Sequence, residues 1–365
     1  MGRLGVDLYP LQSGVELARV ETFGKFLGGS PANVAVAAAR LGSRTALVSR
    51  TGADPFGEYL HRELRAFGVD DRWVTDVAAY PTPVTFCEIF PPDHFPIHFY
   101  RRPKAPDLEI HLHELDLPAL CAARALWVTG TGLSAEPSRA ATLGALRARA
   151  EAAGEDTAGN GAAGSGAAGS GGAGGGAAGS GTAGSGAAGS GVAGGGAAGA
   201  GPLTVLDLDW RPSLWDGTAA DARPLYREAL RYATVAVGNL DECEVATGER
   251  EPYAAARALL AAGVRLAVVK QGPKGVFALA ADGTTAEVPP LPVEVVNGLG
   301  AGDAFGGALA HGLLTGLDLE TLLRRANAAG AIVAGRLACS PAMPYADEIT
   351  LALDTGHATL PDHPR

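Results

Sequence analysis

Short apolar runs that alternate with amphipathic helical patterns are the feature that most restricts how this chain can fold. The apolar runs have the length and β-branched content of buried strands, and they cover residues 45–49, 125–129, 203–208, 235–237 and 266–270. The helical patterns cover residues 32–41, 55–67, 137–153, 253–262, 304–314 and 319–334. Strands that alternate with helices form right-handed βαβ units. We therefore predict a three-layer α/β/α sandwich with a mostly parallel central sheet, whose ligands bind at the carboxyl ends of the strands.

Two other segments predict a second, smaller sheet. Residues 16–27 and 84–101 alternate apolar and polar side chains, as antiparallel strands with one exposed face do. We expect them to form a lid over the main domain, with strands at about residues 8–27 and 84–102. Residues 5–8 look like the end of a first strand whose earlier half is missing, which suggests a truncated or misassigned start.

A tract of Gly, Ala and Ser interrupts the chain at residues 154–201. Such a tract has no side chains to bury and much backbone entropy to lose. It lies in a helix-to-strand connection, which is normally a few residues long. The sequence therefore predicts one domain, formed by residues 1–153 and 202–365, with a flexible low-complexity insertion.

Composition excludes several other classes of protein. The formal net charge is −10 and the basic residues form no tract, which argues against a nucleic-acid partner. No apolar run approaches the roughly 20 residues of a membrane span, so we expect a cytoplasmic protein. The four cysteines form no Cys-x-x-Cys pair and are expected to be reduced. His111 and His113 lack a third ligand nearby, and zinc is not expected.

A glycine-rich turn before the helical pattern at 304–314 is a candidate anion site. Gly300, Ala301 and Gly302 would direct unpaired N–H groups outward at the positive end of a helix. Asp303 follows directly. It could cap the helix, as Asp often does, or act as a general base that accepts the proton of a substrate hydroxyl. These residues alone leave both interpretations open.

A second glycine motif opens the helix at 32–41. Gly28 and Gly29 permit close approach of a ligand, and Asn33 offers a donor and an acceptor to hydroxyl groups. The alternative is a tightly packed helix without a ligand. The two motifs together favour a site for a polyhydroxylated molecule.

Four motifs in order resemble the ribokinase-like (PfkB) carbohydrate kinases. They are Gly28-Gly29-x-x-x-Asn33-x-Ala35 with Leu41-Gly42, Gly52-x-Asp54-x-x-Gly57, Asn239-Leu240-Asp241-Glu242, and Gly300-Ala301-Gly302-Asp303. The resemblance covers nearly all of the chain outside the glycine tract. It implies a ribokinase-like fold and phosphoryl transfer from MgATP to a sugar hydroxyl. Asp303 would be the base, and residues 300–302 the phosphoryl anion hole.

Three local runs point to a subgroup of that family. Residues 5–12, 99–108 and 207–215 resemble the 5-dehydro-2-deoxygluconokinases of myo-inositol breakdown, and the last run also resembles the 2-keto-3-deoxygluconate kinases. Both substrates are sugar acids, and the first would be phosphorylated on its C6 hydroxyl. Arg101 and Arg211 follow strands and could bind the carboxylate through two parallel hydrogen bonds. Surface arginines are the alternative.

The resemblance also assigns the remaining site residues. Substrate contacts would come from Asp7, Gly28, Gly29, Asn33, Arg101 and Arg211. Nucleotide contacts would come from Asn239, Glu242, Lys270, Gly272, Gly275 and Asn327. Glu242 would also hold magnesium through ordered water. A homodimer is compatible with this interpretation but no residue pattern decides it.

One stretch departs from the family pattern. Many members have Asp-Thr-Thr before the glycine turn, whereas this chain has Asn297-Gly298-Leu299. In part of the family that region helps to form a monovalent-cation site. The departure puts potassium activation in doubt.

Two other functions remain as alternatives. Residues 126–135 run from a strand into Gly130-x-Gly132-x-x-Ala135, and Asp207 or Asp209 follows the next strand, as in an NAD-binding dehydrogenase. That fingerprint normally opens its own domain, and it leaves both glycine turns unexplained. A catalytically silent sugar or nucleotide sensor on the same scaffold is the non-enzymatic alternative. A sensor of this kind would be expected to lack the base, whereas Asp303 is present in this chain.

Overall fold

The computed structural model describes residues 1–162 and 201–358. The strands of this part are β1 (Gly5–Pro10), β2 (Phe23–Gly28), β3 (Thr45–Gly52), β4 (Val69–Val77), β5 (Val84–Cys87), β6 (Ile97–Tyr100), β7 (Ala125–Thr129), β8 (Leu203–Asp207), β9 (Val235–Asn239), β10 (Leu266–Lys270), β11 (Val276–Ala280) and β12 (Thr285–Val288). The α-helices are α1 (Ser30–Arg40), α2 (Pro55–Ala66), α3 (Leu117–Ala122), α4 (Ser138–Ala162), α5 (Ala219–Leu230), α6 (Leu240–Thr247), α7 (Pro252–Ala262), α8 (Ala301–Thr315), α9 (Leu319–Ala334) and α10 (Ala346–Thr355).

Six strands form the central sheet, in the order β12-β11-β10-β9-β8-β7. Strands β7 to β10 run parallel, and β11 and β12 complete one edge as antiparallel strands. Every residue of β8 is buried, because apolar clusters cover both faces of the sheet. Strands buried on both faces are uniformly apolar, as the sequence pattern indicated. The predicted α/β/α sandwich with a mostly parallel central sheet is confirmed.

The predicted strand at 45–49 lies in a separate parallel pair, β3 with β4. The N-terminal segment links this pair to the central sheet. Its Gly2 amide donates to Val48 O at 3.1 Å, and its Met1 ammonium donates to Trp127 O at 2.8 Å. Strand β4 was not predicted, because its charged residues hide the pattern of a buried strand.

The small sheet has the order β2-β1-β5-β6. Strand β1 pairs antiparallel with β2, and β5 pairs antiparallel with β6. The pairing of β1 with β5 is parallel, however, so the expectation of purely antiparallel strands was wrong. Within residues 16–27 only the second half is a strand, since Leu17–Arg19 forms a short 3₁₀ turn.

Helices α1 and α8 pack closely, because small residues line their contact. A side chain on Gly307 would overlap the methyl group of Ala37, and one on Gly306 would lie 2.8 Å from the Trp127 ring. The helices begin at Ser30 and Ala301, and close packing brings these two ends together. The glycines of α8 therefore position the site described below.

Most of the predicted insertion at 154–201 lies outside the described residues. Helix α4 continues through its first part and ends at Ala162. Within the described ranges, none of the helices combines the length and the apolar character needed to cross a membrane.

Candidate active site

Asp303 is the third residue of α8, directly after the glycine turn. Gly300 precedes the helix with a φ of 82°, which favours glycine. An added Cβ at Gly300 would also lie 2.5 Å from Cys339 Sγ. The N-cap position is thus held by a residue without a side chain. The structure therefore places the Asp303 carboxylate outside the capping position.

The predicted anion hole lies at the start of α8. The first hydrogen bond of the helix runs from the Ala304 amide to Gly300 O, at 2.9 Å. The preceding amides of Ala301 and Gly302 consequently have no acceptor within the helix. They lie at the positive end of the helix dipole, which favours an anion.

The Asp303 carboxylate is held by groups of α1. Asn33 Nδ2 donates to Asp303 Oδ2 at 2.7 Å, and Ser30 also hydrogen-bonds to the carboxylate. Asn33 is fixed in turn, since its Oδ1 accepts from Ser340 Oγ at 2.5 Å. Burial raises the pKa of Asp303 above its usual value, against the opposing effect of the Asn33 and Ser30 hydrogen bonds. A more basic carboxylate is better suited to accept a proton.

A cavity beside Asp303 contains most of the predicted substrate residues. Its lining includes Arg3, Asp7, Gly29, Asn33, Arg101, Arg211, Gly300 and Asp303. These residues come from the small sheet and the segments that flank it, from the starts of α1 and α8, and from the segment after β8. The structure thus brings together residues that are far apart in the sequence.

Asp7 and Gly29 line this cavity, and Gly28 lies directly against Asp7. A side chain on Gly28 would overlap the Asp7 carboxyl group, and Gly29 has a φ of 101° with Arg3 O 2.5 Å from an added Cβ. Tyr9 Oη donates to Asp7 Oδ2 at 3.1 Å. Burial raises the pKa of Asp7 to about 7. Both glycines are therefore required by the backbone and the carboxyl group beside them.

The two predicted arginines both line the cavity, but they differ in their partners. Arg101 Nη2 donates to both oxygens of Asp107, at 2.8 and 2.6 Å. Arg211 is more exposed, with Nε 3.4 Å from Asp209 Oδ1 and Nη1 3.8 Å from Glu242 Oε1. The Arg101 guanidinium is thus partly engaged by a carboxylate of its own chain, whereas Arg211 is more open to a ligand.

Charged side chains also gather at the carboxyl ends of three neighbouring strands. Asp207 ends β8, Lys270 ends β10, and Glu242 follows β9. Burial lowers the pKa of Lys270, but the carboxylates of Glu242, Asp207 and Asp303 outweigh it and the net shift is upward. Burial raises the pKa of Asp207 to about 8. Lys270 Nζ would lie 3.4 Å from a Cβ added to Gly302, which places this ammonium beside the anion hole.

The other predicted nucleotide residues have internal partners. Asn239 and Glu242 form a capping box at the start of α6, in which Asn239 Oδ1 accepts from the Glu242 amide at 2.9 Å. Asn327 Nδ2 donates to Pro289 O at 3.0 Å. Gly272 and Gly275 have φ angles of 58° and 95° in the turn after β10. These contacts leave their nucleotide roles as predictions.

Asn297, the position that departs from the family pattern, is fully buried. Its Nδ2 donates to Leu337 O at 2.7 Å, and its Oδ1 accepts from the Leu299 amide at 3.1 Å. The side chain therefore holds the loop before the glycine turn. No group of three or more His, Cys, Asp or Glu suited to a metal ion occurs in the part of the chain that the structure describes.

Sequence reasoning missed Arg3 and did not place Asp209 in the site. Arg3 Nη2 donates to Asp209 Oδ2 at 2.7 Å, and Arg3 Nε donates to Thr131 Oγ1 at 3.0 Å. Asp209 had appeared only as the acidic residue of a dinucleotide fingerprint. Its carboxylate is occupied by arginines. The glycines that precede it in that fingerprint are also packed, because a side chain on Gly130 would overlap Leu208 O.

Comparison with known proteins agrees with the fold. The family model described as pfkB family carbohydrate kinase matches residues 1–166 and 197–346. A 5-dehydro-2-deoxygluconokinase of Photobacterium profundum is 30% identical over 366 residues, which span 99% of this chain and 95% of that protein. The one of Lacticaseibacillus casei is 28% identical over 361 residues, 98% and 95% of the two chains.

Solved structures share the fold. A fructokinase of Xylella fastidiosa with bound ATP has a TM-score of 0.73 at 21% identity, and the match covers 97% of each chain. A fructokinase of Vibrio cholerae with fructose, ADP and calcium has a TM-score of 0.71 at 22% identity, over 96% of this chain and 97% of that one. The fold is therefore that of the ribokinase-like sugar kinases. The chain belongs to the PfkB family of carbohydrate kinases and is an ATP-dependent carbohydrate kinase.

Proposed function

We propose that this kinase transfers the γ-phosphoryl group of MgATP to the C6 hydroxyl of 5-dehydro-2-deoxy-D-gluconate, in myo-inositol breakdown. The observation that carries the proposal is the cavity in which Asp303 and Arg211 meet, a carboxylate base and a guanidinium in one site. A sugar acid has both complementary groups, a hydroxyl and a carboxylate. The 5-dehydro-2-deoxygluconokinases that match almost the whole chain support this choice of acid.

Asp303 is the general base of the proposed reaction. It accepts the proton of the substrate hydroxyl as that oxygen attacks phosphorus. The Asn33 hydrogen bond to Oδ2 fixes the orientation of the carboxylate. Asp7 and Asn33 hold the sugar hydroxyls, with Gly28 and Gly29 beside them.

Negative charge on the transferred group is stabilised from two sides. The amides of residues 300–302 lie at the start of α8, and Lys270 lies beside Gly302. Donors that are already oriented toward developing charge need no reorganisation during the reaction. The chain has no P-loop motif, so helix ends and a lysine take that role.

The residues of the site would bind magnesium through bridging water molecules and not directly. Glu242 Oε2 accepts from the Asn239 amide at 2.7 Å, which leaves Oε1 as the oxygen available to an outer ligand. Magnesium keeps several waters and is commonly held by one or two carboxylates together with substrate phosphates. Glu242 and Asn239 would hold it in this way, and the ion would neutralise phosphate oxygens.

The nucleotide base lies toward the turn after β10 in this proposal. Gly272 and Gly275 allow close approach of the backbone there, and Asn327 lies beside the adenine. The small sheet closes over the sugar and excludes water, which limits hydrolysis of ATP. Phosphate, sugar and base thus occupy neighbouring parts of one cleft along the carboxyl ends of the strands.

A substrate panel tests the proposal. ATP consumption is measured with 5-dehydro-2-deoxygluconate, 2-keto-3-deoxygluconate, fructose and ribose, and the expected kcat/KM is highest for the first. A preference for 2-keto-3-deoxygluconate would change the substrate but keep the acid class. Preference for a neutral sugar would refute the acid class. Sugar binding without turnover would favour a sensor, and retention of NADH but not ATP a dehydrogenase.

A further inference from the structure

Asp209, which contacts the cavity-lining residues Arg3 and Arg211, has an unusual backbone conformation. Its φ is 31°, and no other non-glycine residue in ranges 1–162 and 201–358 has a positive φ. The residue follows β8 and is 3% exposed. A strained conformation persists where the surroundings fix it, and such residues concentrate at functional sites. The contacts of its side chain show which interactions this backbone conformation makes possible.

The Asp209 carboxylate joins two arginines. Its Oδ2 accepts from Arg3 Nη2 at 2.7 Å and from Thr131 Oγ1 at 3.0 Å, and its Oδ1 lies 3.4 Å from Arg211 Nε. Burial raises the pKa of Asp209, but the charges of Arg3 and Arg211 outweigh it and hold the pKa below its usual value. The carboxylate is therefore ionised between its two partners.

Arg3 keeps one donor nitrogen that its own partners do not use. Arg3 and Arg211 both face Asp209, and Arg211 also lies 3.8 Å from Glu242 Oε1, whereas Arg101 has a carboxylate of its own in Asp107. Arg3 donates through Nε and Nη2, and among the described residues no acceptor lies on its Nη1. Since Arg3 lines the cavity, that nitrogen can donate to a ligand.

Arg3 also touches the small sheet. Its guanidinium carbon lies 5.8 Å from the centroid of the Phe99 ring, which belongs to β6 and lines the same cavity. Contact with an aromatic face restricts the guanidinium without using its hydrogen-bond donors. Arg3 is thus oriented by Asp209 and Thr131 on one side and by the small sheet on the other.

We propose that Arg3 is a second carboxylate-binding residue, beside Arg211, and that Asp209 is the positioning residue for both arginines. The inference rests on the proposed function, because a sugar acid supplies the carboxylate. A guanidinium that retains a free donor can form a charge-assisted hydrogen bond with a carboxylate, and such a bond is stronger than one to a neutral group. Arg3 therefore determines specificity for the acid.

The test compares an acid with its neutral counterpart in the full-length enzyme. The substrates are 5-dehydro-2-deoxygluconate and its C1 amide, and KM and kcat are measured for the wild type, Arg3→Gln and Arg3→Lys. Loss of a hydrogen bond to a charged group predicts a rise in KM of about 10- to 100-fold for the acid with Arg3→Gln. The KM of the amide and both kcat values should change less than about threefold. Arg3→Lys should lie between.

Arg102→Gln is the matched control, since Arg102 is exposed and lies outside the cavity lining. Its two KM values should equal those of the wild type. An equal rise in KM for the acid and the amide in both Arg3 variants would show that Arg3 has a purely structural role and would overturn the proposal. Unchanged KM values for both substrates would overturn it as well. The lysine variant keeps the test decisive if the glutamine variant folds poorly.

Asp209→Asn tests the positioning role. It should lower the preference for acid over amide, and Arg3→Gln should add little in that background, because the two residues act as a unit. Additive effects would refute the role of Asp209. A wild-type enzyme without preference for the acid refutes the sugar-acid function and this role together. A wild type that prefers the acid, with an unchanged preference in the Arg3 variants, refutes the role of Arg3 alone.

Discussion

The side-chain amide of Asn33 donates a hydrogen bond of 2.7 Å to the carboxylate of Asp303, although 270 positions separate the two residues in the chain. The first belongs to α1 and the second to α8, and both lie in the first turn of their helix. Close packing of these helices through glycine and alanine makes the contact possible. The proposed sugar-binding motif and the proposed base are therefore one structural unit.

Asp303→Asn should reduce kcat by at least about 100-fold, because the amide cannot accept the hydroxyl proton. Sugar-acid affinity, measured by calorimetry, should stay close to that of the wild type. Asp318→Asn is the matched control. Asp318 caps α9 by accepting from the Thr321 amide, and asparagine caps equally well, so activity should be retained. Near-native turnover of Asp303→Asn would refute its role as base.

Asn33→Ala should shift the acid limb of the pH–rate profile to higher pH. The Asn33 hydrogen bond lowers the pKa of Asp303, so its loss raises that pKa. Because the base must be ionised, activity then appears at a higher pH. Ser340→Ala leaves Asn33 in place but removes the hydroxyl that hydrogen-bonds to its Oδ1, and it should give a smaller shift. Profiles of kcat/KM from pH 4 to 8 measure both, and an unshifted limb in Asn33→Ala would contradict the coupling.

Asp7 should make the free enzyme less stable as pH rises toward neutrality. Burial raises its pKa from 3.8 to about 7, so the folded state binds the proton more tightly than the unfolded state does. The stabilisation is complete below pH 3.8 and is lost as pH rises through 7. The shift corresponds to roughly 4 kcal/mol as an upper limit.

Asp7→Asn tests this dependence. Urea unfolding at pH 4.5, 6 and 7.5 should show a fall in the unfolding free energy of the wild type that the variant lacks. Asp282→Asn is the control, because this carboxylate is fully exposed in a turn and its pKa is lowered. Identical slopes in the wild type and Asp7→Asn would assign the titration to another group.

Gly300→Ala should destabilise the protein and reduce turnover. The alanine would keep a φ of 82° and would lie 2.5 Å from Cys339 Sγ. Gly316→Ala at the other end of α8 is the matched control, with a φ of 75° and nothing within 4 Å of an added Cβ. The control has only the backbone strain, about 1 kcal/mol. Thermal unfolding should show a clearly larger loss for Gly300→Ala, and equal losses would mean that Cys339 moves aside freely.

Much of the fold could be predicted because its signals are local. The buried strands of the central sheet are continuous apolar runs, and the helices between them have clear amphipathic patterns. Strand β4 escaped prediction because Asp70, Asp71 and Arg72 interrupt its apolar residues. The parallel pairing of β1 with β5 could not be predicted either, since pairing depends on how the intervening elements return the chain.

The site, like the fold, has features that could be predicted from the sequence and features that could not. Asp303 and its glycine turn form a contiguous motif, and their local geometry follows from the sequence. The partners of the charged residues do not follow from the sequence, because they depend on how the chain folds back on itself. Arg101 lies opposite Asp107, and Arg3 opposite Asp209, and only the folded structure brings each pair together. The positive φ of Asp209 also has no sequence signal, because glycine is the residue expected there.

Gly28 and Asp7 lie so close together that a substitution at one position restricts which residues the other can accept. No side chain fits at position 28 while the Asp7 carboxyl group occupies the space that its Cβ would need. A descendant of this enzyme can exchange the aspartate for a smaller residue first and fill the space later. The reverse order passes through an intermediate with two overlapping side chains. The route by which this cavity could evolve a different sugar preference therefore begins at position 7.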